Sequence, residues 1–270
     1  MGFFSSLFEG SGKPGNKLIE ASKSGDTEKV KSLLAEGADV NTSDREGWTA
    51  LMHASQHGHA EVAELLLNKG ADVHAKASDG VTALMRASEN AHAEVVGLLL
   101  NKGADVNTRD KDNWTALIYA ARYGHAKVAE LLLNKGADVH AKTNNGATAL
   151  IRASENGHAW VAGLLLNKGA DVHAKASDGA TALIRASWHG HAGIVGLLLN
   201  QGADVNARDY NGGTALIRAS WHGHVKVAEL LLNKGADMNA EDNMHGTAWM
   251  YASRNEDSMV AELLKRRGAR

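Results

Sequence analysis

Residues 77–109 read A-S-D-G-V-T-A-L-M-R-A-S-E-N-A-H-A-E-V-V-G-L-L-L-N-K-G-A-D-V-N-T-R. Two short helices are written into this stretch. Asp79 and Gly80 mark a turn. Thr82 is a good N-cap for a helix through Leu84, Met85, Ala87 and Ser88. Ala91 stands where parallel stretches of the chain carry Gly58, Gly124, Gly157, Gly190 and Gly223. Glycine at that place supplies the positive φ that ends one helix before the next begins. A second helix carries Val95, Val96, Leu98, Leu99 and Leu100, and Gly103 ends it. Ala104 to Asn107 then leads into the next turn.

The same unit recurs along the chain. His59, His92, His125, His158, His191 and His224 follow one another at a step of 33 residues (92 − 59 = 33). Self-similarity at a fixed period of this size marks a stack of small supersecondary units. Six full units cover residues 44–241, an atypical unit at 16–43 and another at 242–270 flank them as caps, and 1–15 form a tail and linker. The cap units carry the polar residues that end repeats need, such as Lys17, Glu20 and Lys23 at one end and Lys265, Arg266 and Arg267 at the other.

The order T-A-L-[MI]-x-A, then G-H, then L-L-L, then G-A-D-V-N resembles the ankyrin repeat, over residues 16–270. The resemblance implies an all-α, right-handed solenoid of stacked helix pairs with hairpin-like loops, used as a protein-binding surface. One feature departs from the family pattern T-P-L-H: alanine replaces proline throughout (Ala50, Ala83, Ala116, Ala149, Ala182, Ala215, Ala248), and Met or Ile replaces the histidine. The helix start thereby loses proline's preset φ.

Composition limits the function. Hydrophobic residues make up 44% and aromatics only 5%, so Leu, Val and Ala must fill the core. A formal net charge of −2 argues against a dedicated nucleic-acid binder. With no cysteine there is neither a disulfide frame nor thiolate chemistry, which fits a cytoplasmic location. No activated nucleophile, carboxylate pair or cofactor loop is recognisable, so neither an enzyme nor a cofactor is expected. Met1–Phe8 combines a loose acyl-acceptor pattern with Phe4, Leu7 and Phe8 on one helical face. It reads as a tail folded over the first repeat, with membrane contact as the other possibility.

Rows that repeat identically read as scaffold; rows that vary read as contact surface. The histidine row reads as structural, bonding backbone between units. A metal reading of the His-Gly-His triplets fails on distance, because neighbouring units lie about 8–10 Å apart and zinc holds its ligands at ~2.0–2.1 Å. Gly97, Gly163 and Gly196, each midway along a second helix, read either as copied without penalty or as a place of close contact, including self-association.

The variable row of the first helix runs His53, Arg86, Tyr119, Arg152, Arg185, Arg218, Tyr251. Three and four residues later stand Arg122 with Tyr123, Trp188 with His189, Trp221 with His222, and Arg254. This i, i+3, i+4 spacing puts each trio on one face. Trp114 and Tyr210 add loop aromatics. Arg86 and Arg152 have Glu89 and Glu155 at i+3, whereas Arg185 and Arg218 have Trp188 and Trp221. The second pair is therefore expected to present uncompensated guanidinium beside indole, a combination enriched at binding hot spots. The expected function is a non-enzymatic scaffold, monomeric, whose groove captures, masks or inhibits a partner protein with an acidic patch, as an inhibitor or immunity-type protein would. A nucleotide or other phosphate-bearing ligand held by the Arg/Trp groove is the alternative.

Overall fold

A computed structural model of the chain describes residues 14–254 and 258–268. The Phe-rich start, including Met1–Phe8, lies outside the described residues, as does Asn255. Sixteen helices are present among the described residues. First helices of the pairs are α1 (Pro14–Ser24), α3 (Ala50–His57), α5 (Ala83–Glu89), α7 (Ala116–Tyr123), α9 (Ala149–Glu155), α11 (Ala182–Trp188), α13 (Ala215–Trp221) and α15 (Ala248–Ala252). Second helices are α2 (Thr27–Ala35), α4 (Ala60–Asn68), α6 (Ala93–Asn101), α8 (Ala126–Asn134), α10 (Ala159–Asn167), α12 (Ala192–Asn200), α14 (Val225–Asn233) and α16 (Met259–Arg266). Pro14 and Gly15, read above as the end of a linker, form the first turn of α1. Proline suits that position because its missing N–H would be unpaired there in any case.

The described residues divide into two compact units, one made of 14–120 with 127–138 and the other of 121–126 with 139–254 and 258–268. In the first, α1, α3 and α5 pack in sequence, as do α2, α4 and α6. In the second, α9, α11, α13 and α15 form one row and α10, α12, α14 and α16 the other. The loops between pairs close as hairpins, with isolated antiparallel bridges such as Lys175 to Thr181 and Arg208 to Thr214. This is the all-α stack of helix pairs that the repeat predicts.

First helices of the full repeats start where their threonine says they should. Thr82, Thr148, Thr181 and Thr214 accept through Oγ1 the backbone N–H three residues on. Loss of proline from the repeat pattern is therefore offset by the cap. Leu, Ile, Val and Ala fill the interior as composition requires; Leu66, Leu99, Leu165, Leu198 and Leu231 are fully buried.

The histidine row joins successive pairs. Nε2–H of His59, His92, His158, His191 and His224 donates to the carbonyl of Lys23, Gln56, Arg122, Glu155 and Trp188, at 2.9–3.1 Å. These carbonyls sit in the last turn of the preceding first helix, where no intrahelical N–H is left to pair with them. Gly58 has φ 74, and a Cβ there would meet Nδ1 of His92 at 2.4 Å. Glycine is thus required twice, by its backbone angle and by the ring of the next repeat. Ala91 adopts the same left-handed angle, φ 65, with a Cβ to accommodate. Substituting Ala91→Gly should relieve that strain and raise stability by about 1 kcal/mol, read as an upward shift in melting temperature. An unchanged or lower melting temperature would show that the alanine is not strained.

Candidate protein-binding face

The sequence treats the first-helix row as free for partners. In the structure it holds the loop of its own repeat. His53 Nε2 pairs with Asp44 at 2.9 Å, the Tyr119 hydroxyl donates to Asp110 at 2.7 Å, and the Tyr251 hydroxyl donates to Asp242 at 2.6 Å. Arg218 donates to Asp209 through Nε, at 3.1 Å, and through Nη2. Each of these aspartates lies nine residues earlier and also ties down the loop; Asp209, for example, accepts the N–H of Asn211 and of Gly213.

Where the first position of the repeat is Ala77 or Ala176 instead, the arginine turns to the third position. Arg86 reaches Asp79 at 3.4 Å and Arg185 reaches Asp178. In the Thr143 repeat Arg152 reaches Asn145 at 3.1 Å. The switch leaves the Nε of Arg86 and of Arg185 buried without an acceptor. Arg86 and Arg152 also meet Glu89 and Glu155 at 2.8 Å, as the i+3 spacing predicts.

Two expectations need correction. Arg185 and Arg218 are not uncompensated: Asp178 and Asp209 neutralise them. Their counter-charges lie seven and nine residues back across the loop turn, beyond the i+3 and i+4 window of a helix. Tyr251 and Arg218 are not open contact residues either, being only 3% and 7% exposed. They support the surface from beneath.

What the second unit does present is a run of rings. Trp188 and Trp221 have centroids 6.4 Å apart, and Trp221 stacks on Tyr251 at 4.7 Å with planes 8° apart. His222 lies 4.9 Å from Trp188. The Arg218 guanidinium sits 5.1 Å over Trp188, and that of Arg254 4.8 Å over Tyr251. Trp221 is 42% exposed, His189 and His222 are exposed, and Trp188 is half-buried. Beneath Trp188 a cleft of ≈200 Å³ is lined by Asp178, Arg185, Asp209, Asn211 and Arg218 among others. Tyr210, 69% exposed, lies over Gly179 at the loop tips. At the start of this unit, Arg122 lies 5.4 Å from the Tyr123 ring, and both are exposed.

In the first unit, Arg86 lies 4.3 Å over Trp48, and Trp114 packs 5.0 Å from Tyr119. Tyr119 is half-buried, and burial followed by its bond to Asp110 pushes its hydroxyl well above the ordinary tyrosine range. None of the described His, Asp and Glu residues cluster so as to hold a metal ion.

Although both rings reach solvent, partial burial lowers the pKa of His189 and of His222. For His222 the neighbouring His224, His189 and Arg218 add to the effect, while for His189 the Glu155 carboxylate opposes it. The neutral form of both imidazoles therefore predominates at pH 7. Because the folded pKa is the lower one, the unfolded chain takes up these protons first. The stabilisation is present above the ordinary value of 6.5 and is lost as pH falls from there through the folded value. An NMR titration should place both midpoints below 6.5; midpoints above it would mean that the rings are hydrated and unburdened by their neighbours.

The loop clamp is tested by comparing two aspartates. Asp209→Ala strands a buried guanidinium and two loop N–H groups, and should cost about 3–5 kcal/mol. Asp178→Ala removes a half-exposed partner and should cost about 1 kcal/mol or less. Chemical denaturation gives both numbers, and equal costs would refute the clamp.

Comparison with known proteins agrees with this geometry. Residues 18–110, 104–176, 172–242 and 210–270 match ankyrin repeats, described in sets of three copies. One human protein, mitochondrial disaggregase, is 52% identical over 42 residues, which are 14% of this chain and 6% of that protein. This chain therefore spans only a small fraction of that relative's length, little more than a single repeat. Ankyrin repeats generally serve as protein-interaction scaffolds and are typically non-enzymatic. With matches running from residue 18 to the end, and stacked helix pairs capped and bonded as the repeat requires, the chain belongs to the ankyrin-repeat family.

Proposed function

We propose that this chain is a non-enzymatic scaffold that captures and masks a partner protein on the first-helix face of its second unit. The observation that carries this reading is the ring run Trp188, Trp221 and Tyr251 beside a cleft wide enough for one side chain. Trp221 is an exposed indole already held in place by Tyr251 beneath it, so binding loses little side-chain freedom there. Rigid aromatic residues with arginine nearby are the commonest hot-spot composition. The contact residues of this reading are Trp188, His189, Trp221, His222 and Arg254, flanked by Arg185, Arg152, Arg122, Tyr123 and the loop residue Tyr210. Arg86, Trp114 and Tyr119 form the corresponding row of the first unit.

The partner's acidic patch has narrower support than the sequence offered, since Asp178 and Asp209 already answer two of the arginines. The same pairing weakens the phosphate reading, because a phosphate would have to displace a resident carboxylate. An aromatic side chain with a polar end, its ring against Trp188 and its polar end among the charged groups of the cleft, with carboxylates meeting Arg254 at the edge, fits the face best. The partner would be a protein of the same compartment, taken here as the cytoplasm; no described helix is long and apolar enough to cross a membrane.

Affinity capture from native extract tests the assignment. Trp188→Ala with Trp221→Ala should remove the specific partner recovered by the wild type. The melting temperature should fall only modestly, as expected when aromatic pairs worth about 0.5–1.5 kcal/mol each are lost. Recovery of the same partner by the double variant would reject this face. Retention that falls steeply and linearly with log salt would favour a phosphate-bearing ligand instead.

A further inference from the structure

The second helices carry a charge row that lapses in one place. Their second residue is Glu61, Glu94, Lys127 and Lys226 in α4, α6, α8 and α14, but Trp160 in α10 and Gly193 in α12. Three residues later, Glu64, Glu130 and Glu229 give way to Gly97, Gly163 and Gly196, but only in α6 does a glutamate, Glu94, still stand three residues before the glycine. The neighbouring helices α10 and α12 consequently hold no charged residue along their whole length. Trp160 stands 79% exposed among them, the most exposed tryptophan of the described residues.

The glycines are not required by packing within the chain. A Cβ on Gly163 would meet only Cδ2 of Leu197, at an ordinary 3.8 Å, and at Gly193 and Gly196 it would meet nothing within 4 Å. Each still costs the helix about 1 kcal/mol against alanine. Their visible effect is to keep a shelf open beside Trp160. A groove of ≈250 Å³ lies there, lined by Ala159, Trp160, Gly163, Leu164, Asn167 and Leu197. A cavity of about 150 Å³ already accepts a benzene ring, so this groove has room for an indole.

A protruding ring and a recess of matching size on the same face are what a two-fold contact between identical surfaces needs. The face also matches itself in charge, having none to desolvate or to repel. An anionic membrane surface would instead call for Lys or Arg beside the apolar stripe, and α10 and α12 have neither. We propose that the α10–α12 face is a homodimer interface in which Trp160 of each copy seats on the Gly163, Leu164 and Leu197 shelf of the other. This replaces the monomer expected from the sequence and is independent of the partner face on the first helices.

Sedimentation equilibrium on the full chain, from about 1 μM to about 1 mM, spans the affinities of low-area contacts. The wild type should show a monomer–dimer equilibrium. Trp160→Lys and Gly163→Leu should each raise the dissociation constant at least about thirty-fold, as when one hot-spot side chain is lost. Circular dichroism melting should show both variants folded, with Gly163→Leu no less stable than wild type. A wild type that stays monomeric throughout overturns the proposal, as does a dimer that survives either substitution. Flotation of a monomeric wild type with phosphatidylserine vesicles, lost in Trp160→Lys, would assign the face to lipid and overturn it as well.

Discussion

One hydrogen bond, repeated down the chain, sets the geometry on which the rest depends. A helix of seven or eight residues leaves half its carbonyls without intrahelical partners. In this protein the last turn of α1, α3, α7, α9 and α11 is met by an imidazole from the following repeat, as Trp188 is met by His224 and Gln56 by His92. The bond needs a ring where the preceding repeat has no side chain, so the histidine and the glycine before it form one device spread over two repeats. Short helices that would be marginal alone are thereby held in register. The backbone of Trp188 is held by a residue 36 positions further on, and its indole by Trp221, His222 and Arg218.

The candidate face grows out of a second constraint, the need to satisfy the loop. A hairpin loop between helix pairs has N–H groups that no neighbour takes up, and an aspartate accepts them. That aspartate has a further oxygen to satisfy, and a polar side chain on the first helix donates to it. Arg218, Tyr119 and Tyr251 are variable in identity because hydroxyl, guanidinium and imidazole all can donate to a carboxylate. Variation along the row thus reflects two interchangeable places for the carboxylate as much as partner choice. The residues left over, Trp188, Trp221 and their histidines, then rest on a foundation in which Asp178 and Asp209 already pair with Arg185 and Arg218.

The repeat made the architecture legible before any coordinates. Period, threonine caps, the glycine between helices and the leucine run each have a local physical meaning, and all recur in place. The exception at Ala91 was visible as a break in the glycine row and appears as a left-handed alanine. The site was less legible. Salt bridges of Arg86 with Glu89 and Arg152 with Glu155 follow from helix spacing. The pairs Arg185 with Asp178 and Arg218 with Asp209 span a turn whose path no helical rule describes. A signal did exist within the chain: the repeats that hold Arg185 and Arg218 carry their loop carboxylate at alternative positions, Asp178 with Ala176 in one and Asp209 with Asn211 in the next. Trp160 carries no such signal, since a single aromatic among leucines reads as core, and only its 79% exposure marks it.

The central claim is that the exposed rings of the second unit are where a partner is held. Hydrogen–deuterium exchange on the captured complex, compared with the free chain, tests this most directly. Slowed exchange should concentrate in α11, α13 and α15 and in the loops that precede them, with α10, α12 and α14 unchanged by the partner. Protection confined to the second helices, or to the first unit, would contradict it.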